Sequence, residues 1–219
     1  MDFLNISKII EFGVLLVMLM FSIIVHECSH GIIAYKCGDP TARMLGRITL
    51  NPIKHIDPFG TIMLPIMLRL FGLPPFGWAK PVPVNFSNLR HPKRDMIWVA
   101  AAGPGSNLML ATLGILLMVL TKQMILSLPQ GLVYMLLSYA SYFVLINVLL
   151  AVFNLMPIPP LDGSRIMSGL LPYRWAEQYS RIEPYGFLII FVLIYLNAFD
   201  WVFKYIQLLT QFIINYLLS

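Results

Sequence analysis

A chain of 219 residues that is 58% hydrophobic and only 11% charged has too little polar surface to cover a water-exposed particle, since soluble domains carry about 25% charged residues. Its formal net charge of +5 is concentrated between apolar runs without basic–aromatic interleaving, which excludes a nucleic-acid surface. Two cysteines, Cys28 and Cys37, exclude a disulfide framework, and what remains is an integral membrane protein with the lipid bilayer as its surroundings.

A helix rises 1.5 Å per residue, so about 20 apolar residues cross a hydrocarbon core about 30 Å thick. The first such span runs from about Ile9 to Lys36, and its stretch FGVLLVMLMFSIIV (12–25) carries no charge. It reads as an uncleaved first span rather than a signal peptide. A segment of different character follows. ARMLGRITLNP (42–52) contains the strand-like run RITL. GTIMLPIMLRLFG (60–72) is apolar but short, with Pro65 inside it and Arg69 near its end, and reads as a dip into the membrane that does not cross. PPFGWAKPVPVN (74–85) alternates Pro and Val, which favours extended backbone.

The second span is expected over about Asp95–Leu120 and the third over about Leu132–Met156. The tail from Tyr185 to Leu218 is apolar with a break at NAFDW, where Asp200 reads as a loop residue between two shorter spans. The expected fold is an all-α polytopic membrane protein, a bundle of about 4–6 transmembrane helices with a small strand and re-entrant insert between the first two spans. One membrane-embedded domain is expected over 1–219, with a core at about 10–170 and a helical tail at about 184–218.

Charge placement gives a topology. Lys36, Arg43, Arg47 and Lys54 follow the first span; Lys80, Arg90, Lys93 and Arg94 precede the second; Arg165, Arg174 and Arg181 follow the third. The 121–131 loop holds only Lys122. Cytoplasmic loops are enriched in Lys and Arg, so the first three groups share that side if 60–72 does not cross. The ends of spans one and three then meet there.

At the end of the first span stands HECSH, residues 26–30. Residues four apart lie on one helix face, so His26 and His30 can direct imidazole nitrogens at one ion. Glu27, rotated about the axis, can reach a water beside it. H-E-x-x-H on a helix is the zinc-hydrolase pattern, and a catalytic zinc takes a third protein ligand. The candidate is Asp162 in NLMPIPPLDG (154–163), brought to the same side by the topology, with Gly163 letting the backbone turn away. One Zn2+ per chain is expected. Fourteen steps from Phe12 to His26 rise roughly 21 Å, placing the ion about 10 Å inside the cytoplasmic edge of the slab.

Other polar residues have plainer readings. Asp162 could cap the helix that follows it. His55 and Asp57, in the turn-rich NPIKHIDP, read as a hydrogen-bonded loop; His91 reads as a solvated interfacial residue, Cys28 as packing, and Arg165 as snorkelling to the interface. Asn107 is either a partner of the metal helix or an interhelical bond. Trp78 is either a substrate contact or an interface anchor.

HECSH at 26–30, NPIKHIDPFGT at 51–61, GWAKPVPVN at 77–85, GPGSN at 103–107 and NLMPIPPLDG at 154–163 together resemble the site-2 protease family of intramembrane zinc metalloproteases, in its compact prokaryotic form without PDZ or CBS domains. The resemblance implies hydrolysis of peptide bonds in or near transmembrane segments of membrane proteins, as in regulated intramembrane proteolysis. Glu27 would take a proton from the attacking water and deliver it to the leaving amine; His26, His30 and Asp162 would hold zinc. It further implies that Asn154 donates a hydrogen bond to substrate or to the developing oxyanion. The strand-like insert around 44–50 would receive an unwound substrate by strand addition, and Gly103 and Gly105 would let span two pack closely on the metal helix. The partners implied are transmembrane substrates and a regulatory membrane protein, and the location a prokaryotic cell membrane with the site toward the cytoplasm. The competing reading is an inactive zinc-binding scaffold or chaperone, which would have no need of Glu27.

Overall fold

The computed structural model describes residues 6–72, 77–124 and 126–218. The start of the Pro-rich stretch, 74–76, and the chain ends at 1–5 and 219 lie outside the described residues. Helix α1 (Ile6–Lys36) carries the uncharged run and continues unbroken through HECSH. A short α2 (Thr41–Met44) follows. A wide turn over Pro58–Met63 then leads into α3 (Leu64–Leu70). Together they make 13 residues, about 20 Å of rise, too short to cross a ~30 Å slab.

The long α4 (Pro92–Gln123) starts with Pro at its first position, where a missing N–H costs nothing. The Asp95 carboxylate accepts the His91 N–H at 2.9 Å and closes that first turn. Helix α5 (Gln130–Asn154) returns across the membrane and stops before a run with prolines at 157, 159 and 160, which cannot continue a helix. Three shorter helices follow: α6 (Asp162–Leu170), α7 (Tyr173–Ser180) and α8 (Gly186–Tyr195). The last is α9 (Asp200–Leu218).

Among the described residues, three helices are long and apolar enough to cross a membrane, Ile9–Lys36, Pro92–Gln123 and Gln130–Leu155. Tyr173–Tyr195 and Asp200–Tyr216, bent by 73°, make a fourth if they count as one span. That is the low end of the expected four to six. The bend differs from the sequence expectation in one detail. Asn197 takes the left-handed conformation, φ 54°, which Asn tolerates better than most residues. Asp200 is therefore the first residue of α9 rather than a loop residue, a position where its charge favours the helix dipole.

The strand expected at RITL does not form, and no strand occurs among the described residues. Side chains occupy the groups a ladder would need. The Thr49 carbonyl accepts from Cys28 Sγ at 3.2 Å and from His55 Nε2 at 2.8 Å. Arg47 reaches across to the carbonyls of Lys80 and Pro81. Substrate addition at 44–50 therefore has no strand to build on.

The bundle turns large apolar side chains outward and buries a set of polar ones within its apolar core. Phe12, Val17, Met109 and Leu113 face outward, while Ser22, His26, His30, Asn107 and Asn147 are buried. In water so large an apolar surface would be a liability; against lipid it is the required one. Helix α4 packs between α1 and α5, with Ala111 and Met118 against Ala140 and Val144.

The C-terminal end of α1 is fastened by Asp39, fully buried. Its carboxylate accepts from the backbone N–H of Thr41 and Asn85, the Thr41 hydroxyl and the Asn88 amide, at 2.5–3.1 Å. Burial pushes its pKa up, but these four donors outweigh burial and hold it below the ordinary carboxylate value. The stability it contributes is therefore present above an unfolded pKa of about 3.9 and lost as pH falls through its lower folded value. Asp39→Ala strands buried donors and should cost about 3 kcal/mol at neutral pH, read as a lowered thermal midpoint in detergent. That deficit should shrink below pH about 4; an equal deficit at all pH values would refute the charged role.

Candidate metal centre

His26 and His30 stand one turn apart on α1, and their Nε2 atoms lie 3.1 Å from each other. Asp162, the first residue of α6, places Oδ2 at 3.1 Å from His26 Nε2 and 3.3 Å from His30 Nε2. Its carboxylate thus faces the histidines, and the helix cap is Leu161, without a side-chain bond. The ends of spans one and three meet as the charge pattern requires.

The other side of each ring settles what these atoms are. His30 Nδ1 lies 2.7 Å from the Val99 carbonyl, which can only accept, so Nδ1 carries the proton and, in the neutral ring that binds metal, Nε2 is bare. His26 Nδ1 lies 2.6 Å from Asn107 Oδ1, with the same consequence. Asp162 Oδ2 is buried and has no hydrogen-bond donor. Three lone pairs therefore converge with nothing between them, an arrangement that repels unless a cation is shared. A tetrahedral ion with bonds of about 2.0 Å sets its ligand atoms about 3.3 Å apart. The observed triangle, with sides of 3.1, 3.1 and 3.3 Å, fits zinc.

Glu27 is the fourth candidate donor. One oxygen from it and the two imidazole nitrogens all lie within 4.8 Å of one another. Its Oε2 accepts the Val82 N–H at 2.7 Å, so the extended Pro-rich strap orients the carboxylate beside the two histidines.

Comparison with known proteins points to zinc as the metal. The model for peptidase family M50 matches residues 14–137 and 130–196. The chain belongs to peptidase family M50. It is 41% identical to "Putative zinc metalloprotease YwhC" of Bacillus subtilis over 82% of this chain and 78% of that one. It is also 29% identical to "Putative zinc metalloprotease Rip2" of Mycolicibacterium smegmatis, over 91% of this chain and 74% of that one. No solved structure matches the chain significantly. M50 is the site-2 protease family that the motifs resemble, and membership makes this chain a membrane-embedded zinc metalloendopeptidase.

In this M50 member the donors open onto a cavity of about 560 Å³ that also takes in Trp78, the strap at 81–84, Asn154 and Phe187. A larger cavity of about 640 Å³ lies beside Lys93, Ser168 and Tyr173. It contains none of the metal-ligating set, so convergent donors, not size, choose the site. Asn154 Nδ2 donates to the Leu150 carbonyl at 2.9 Å, which leaves its second N–H for another acceptor. Trp78 lies against Phe187, ring centroids 5.0 Å apart, at the cavity wall.

The plainer readings hold elsewhere. His55 is buried against Thr49, and Asp57 caps the turn at Phe59 and Gly60. Cys28 packs in the core with its thiol on Thr49. Arg165 does not simply snorkel: its guanidinium lies over the Phe86 ring and 4.0 Å from Glu183. Asn107 is the partner of the metal helix, and Asn147 and Ser22 behind it are buried hydrogen-bonded neighbours that sequence reasoning passed over. An Asn within an apolar span is itself a signal, because such a group is expensive in lipid unless it is paired.

Proposed function

We propose that this M50 protein cleaves transmembrane segments of other membrane proteins inside the bilayer, at the cytoplasmic side of a prokaryotic cell membrane. His26, His30 and Asp162 hold zinc, and the convergence of three buried acceptor atoms with no donor between them carries that reading. Zinc, when bound there, acidifies water and polarises a carbonyl.

The rest falls to the chain's own residues. Glu27, oriented by the Val82 N–H, takes the proton from the attacking water and returns it to the leaving amine nitrogen. Asn154, on the cavity wall, donates its remaining amide N–H to the substrate or to the developing oxyanion. A substrate helix already satisfies its own backbone, so it must unwind to present a carbonyl. The apolar and aromatic wall formed by Trp78, Phe187 and the strap then receives it. One domain performs all of this, and the Lys and Arg clusters flanking the spans support the cytoplasmic orientation.

The test is cleavage of single-span membrane proteins co-reconstituted in liposomes, with new chain ends located by mass spectrometry. Ends inside apolar segments that vanish on chelation and return with added Zn2+ are expected. New ends that persist after the metal is removed would overturn the reading.

A further inference from the structure

Behind the metal centre runs a buried chain of amides that the proposed chemistry does not use. It links α1, α4 and α5 through Ser22, Asn107 and Asn147, each 0% exposed. We propose that Asn147 is a positioning residue for the metal: through Asn107 it decides which nitrogen of His26 carries the proton. This rests on the reading of His26 as a zinc ligand.

The direction of every bond is fixed from the far end. The Phe143 carbonyl can only accept, and Asn147 Nδ2 donates to it at 2.9 Å. The same nitrogen donates to Ser22 Oγ at 3.0 Å, whose own proton goes to the Met18 carbonyl at 2.9 Å. Asn147 must therefore turn Oδ1 toward Asn107, where it accepts from Nδ2 at 3.0 Å. That nitrogen also points at the Ser22 carbonyl, 3.4 Å away. Asn107 is left presenting Oδ1 to His26 Nδ1 at 2.6 Å. His26 must then be protonated on Nδ1, and Nε2 keeps the lone pair that faces His30 and Asp162. Were Asn107 turned over, its N–H would demand a bare Nδ1, and the proton would sit on Nε2, where no metal could bind. Ser22, Asn107 and Asn147 are fully buried, so a lost partner among them leaves a buried polar group unpaired. A metal-ligating histidine is oriented by its second hydrogen bond; here the orienting amide is itself oriented, from a third helix.

The test uses the full chain in detergent, with zinc affinity measured by competition against a chromophoric chelator. The tautomer of His26 is read in the metal-free protein from imidazole 15N shifts. Asn147→Val removes the acceptor that holds Asn107, and a 10–100-fold loss of zinc affinity is expected, with an Nε2–H signal rising for His26. Asn107→Asp in that background should recover most of the affinity, because a carboxylate accepts from Nδ1–H with either oxygen and has no orientation to lose. Ser22→Ala should change little, since the Phe143 carbonyl still directs Asn147. If Asn147→Val does not fold, Asn147→Asp keeps an acceptor toward Asn107 and should keep both affinity and tautomer.

An Asn147→Val protein with wild-type affinity, or with reduced affinity and an unchanged tautomer, would overturn the inference and leave Asn147 as interhelical packing. So would failure of the Asn107→Asp double variant to recover. His26→Ala, run alongside, separates the two levels: unaltered zinc affinity there would remove the ligand reading on which the inference stands.

Discussion

Glu27→Gln is expected to bind zinc as the wild type does and to cleave about 10³-fold more slowly, within the range that general acid–base catalysis contributes. Glutamine keeps the shape of the side chain, and its carbonyl oxygen can still accept the Val82 N–H that holds Glu27 at 2.7 Å. What it loses is the ability to take a proton at any pH. The three atoms of the metal triangle belong to other residues, so zinc content should stay at one per chain. Two assays decide the matter together: zinc by elemental analysis, and chain ends produced in liposomes. Cleavage that survives the substitution would sink the mechanism, and zinc lost with cleavage would move Glu27 among the ligands. Full zinc with no cleavage by the wild type either would favour the scaffold reading.

Gly103→Ala should empty the metal site. A methyl group there would lie 2.5 Å from His26 Cε1, His26 Nε2 and His30 Nε2, at the edge of both rings that faces the metal. Neither imidazole can swing aside without leaving its anchor, Asn107 Oδ1 for one and the Val99 carbonyl for the other. Both anchors sit on α4 with Gly103 itself, so backing that helix away breaks them as well. A loss of at least 10–100-fold in zinc affinity follows, the magnitude for disturbing metal-orienting contacts, and activity should fall with it. Gly105, two residues on, supplies the control. Nothing lies within 4 Å of its added Cβ, so Gly105→Ala should retain zinc and gain up to about 1 kcal/mol of helix stability. Equal behaviour of the two variants would show that close approach at Gly103 is not the reason for its size.

These two glycines mark where sequence reading stops. GPGSN suggests close packing of the second span on the metal helix, and the structure bears that out at Gly103 but not at Gly105. Gly163 makes a related point. It suggests a bend after Asp162, yet its added Cβ would meet the Leu155 carbonyl oxygen at 2.1 Å. What it permits is the close seating of α6 against the end of α5. Whether a small residue serves a turn or a contact depends on what the rest of the chain brings up against it.

The insert failed for the opposite reason. RITL has the β-branched and alternating character of a strand, but a strand needs a partner backbone. Cys28, His55 and Arg47 reach this part of the fold first and take its hydrogen bonds or bind across it. Residues 60–72, in contrast, were readable, because a length too short to cross the bilayer is a property of the segment alone.

The sequence by itself determined the membrane setting, the three long spans, the two histidines on one helix face and the acid between them. Each follows from local quantities: apolar length, helical period and charge placement. Asp162 as a candidate was within reach because charge asymmetry confines the ends of spans one and three to one side. Only the tertiary structure decided that its oxygen comes within 3.3 Å of both imidazoles, that the strap secures Glu27, and that Asn107, Asn147 and Ser22 form one directed chain. Those are contacts between residues 40 to 136 positions apart, and hydrogen-bond direction is settled only when every donor and acceptor around a buried group is in place.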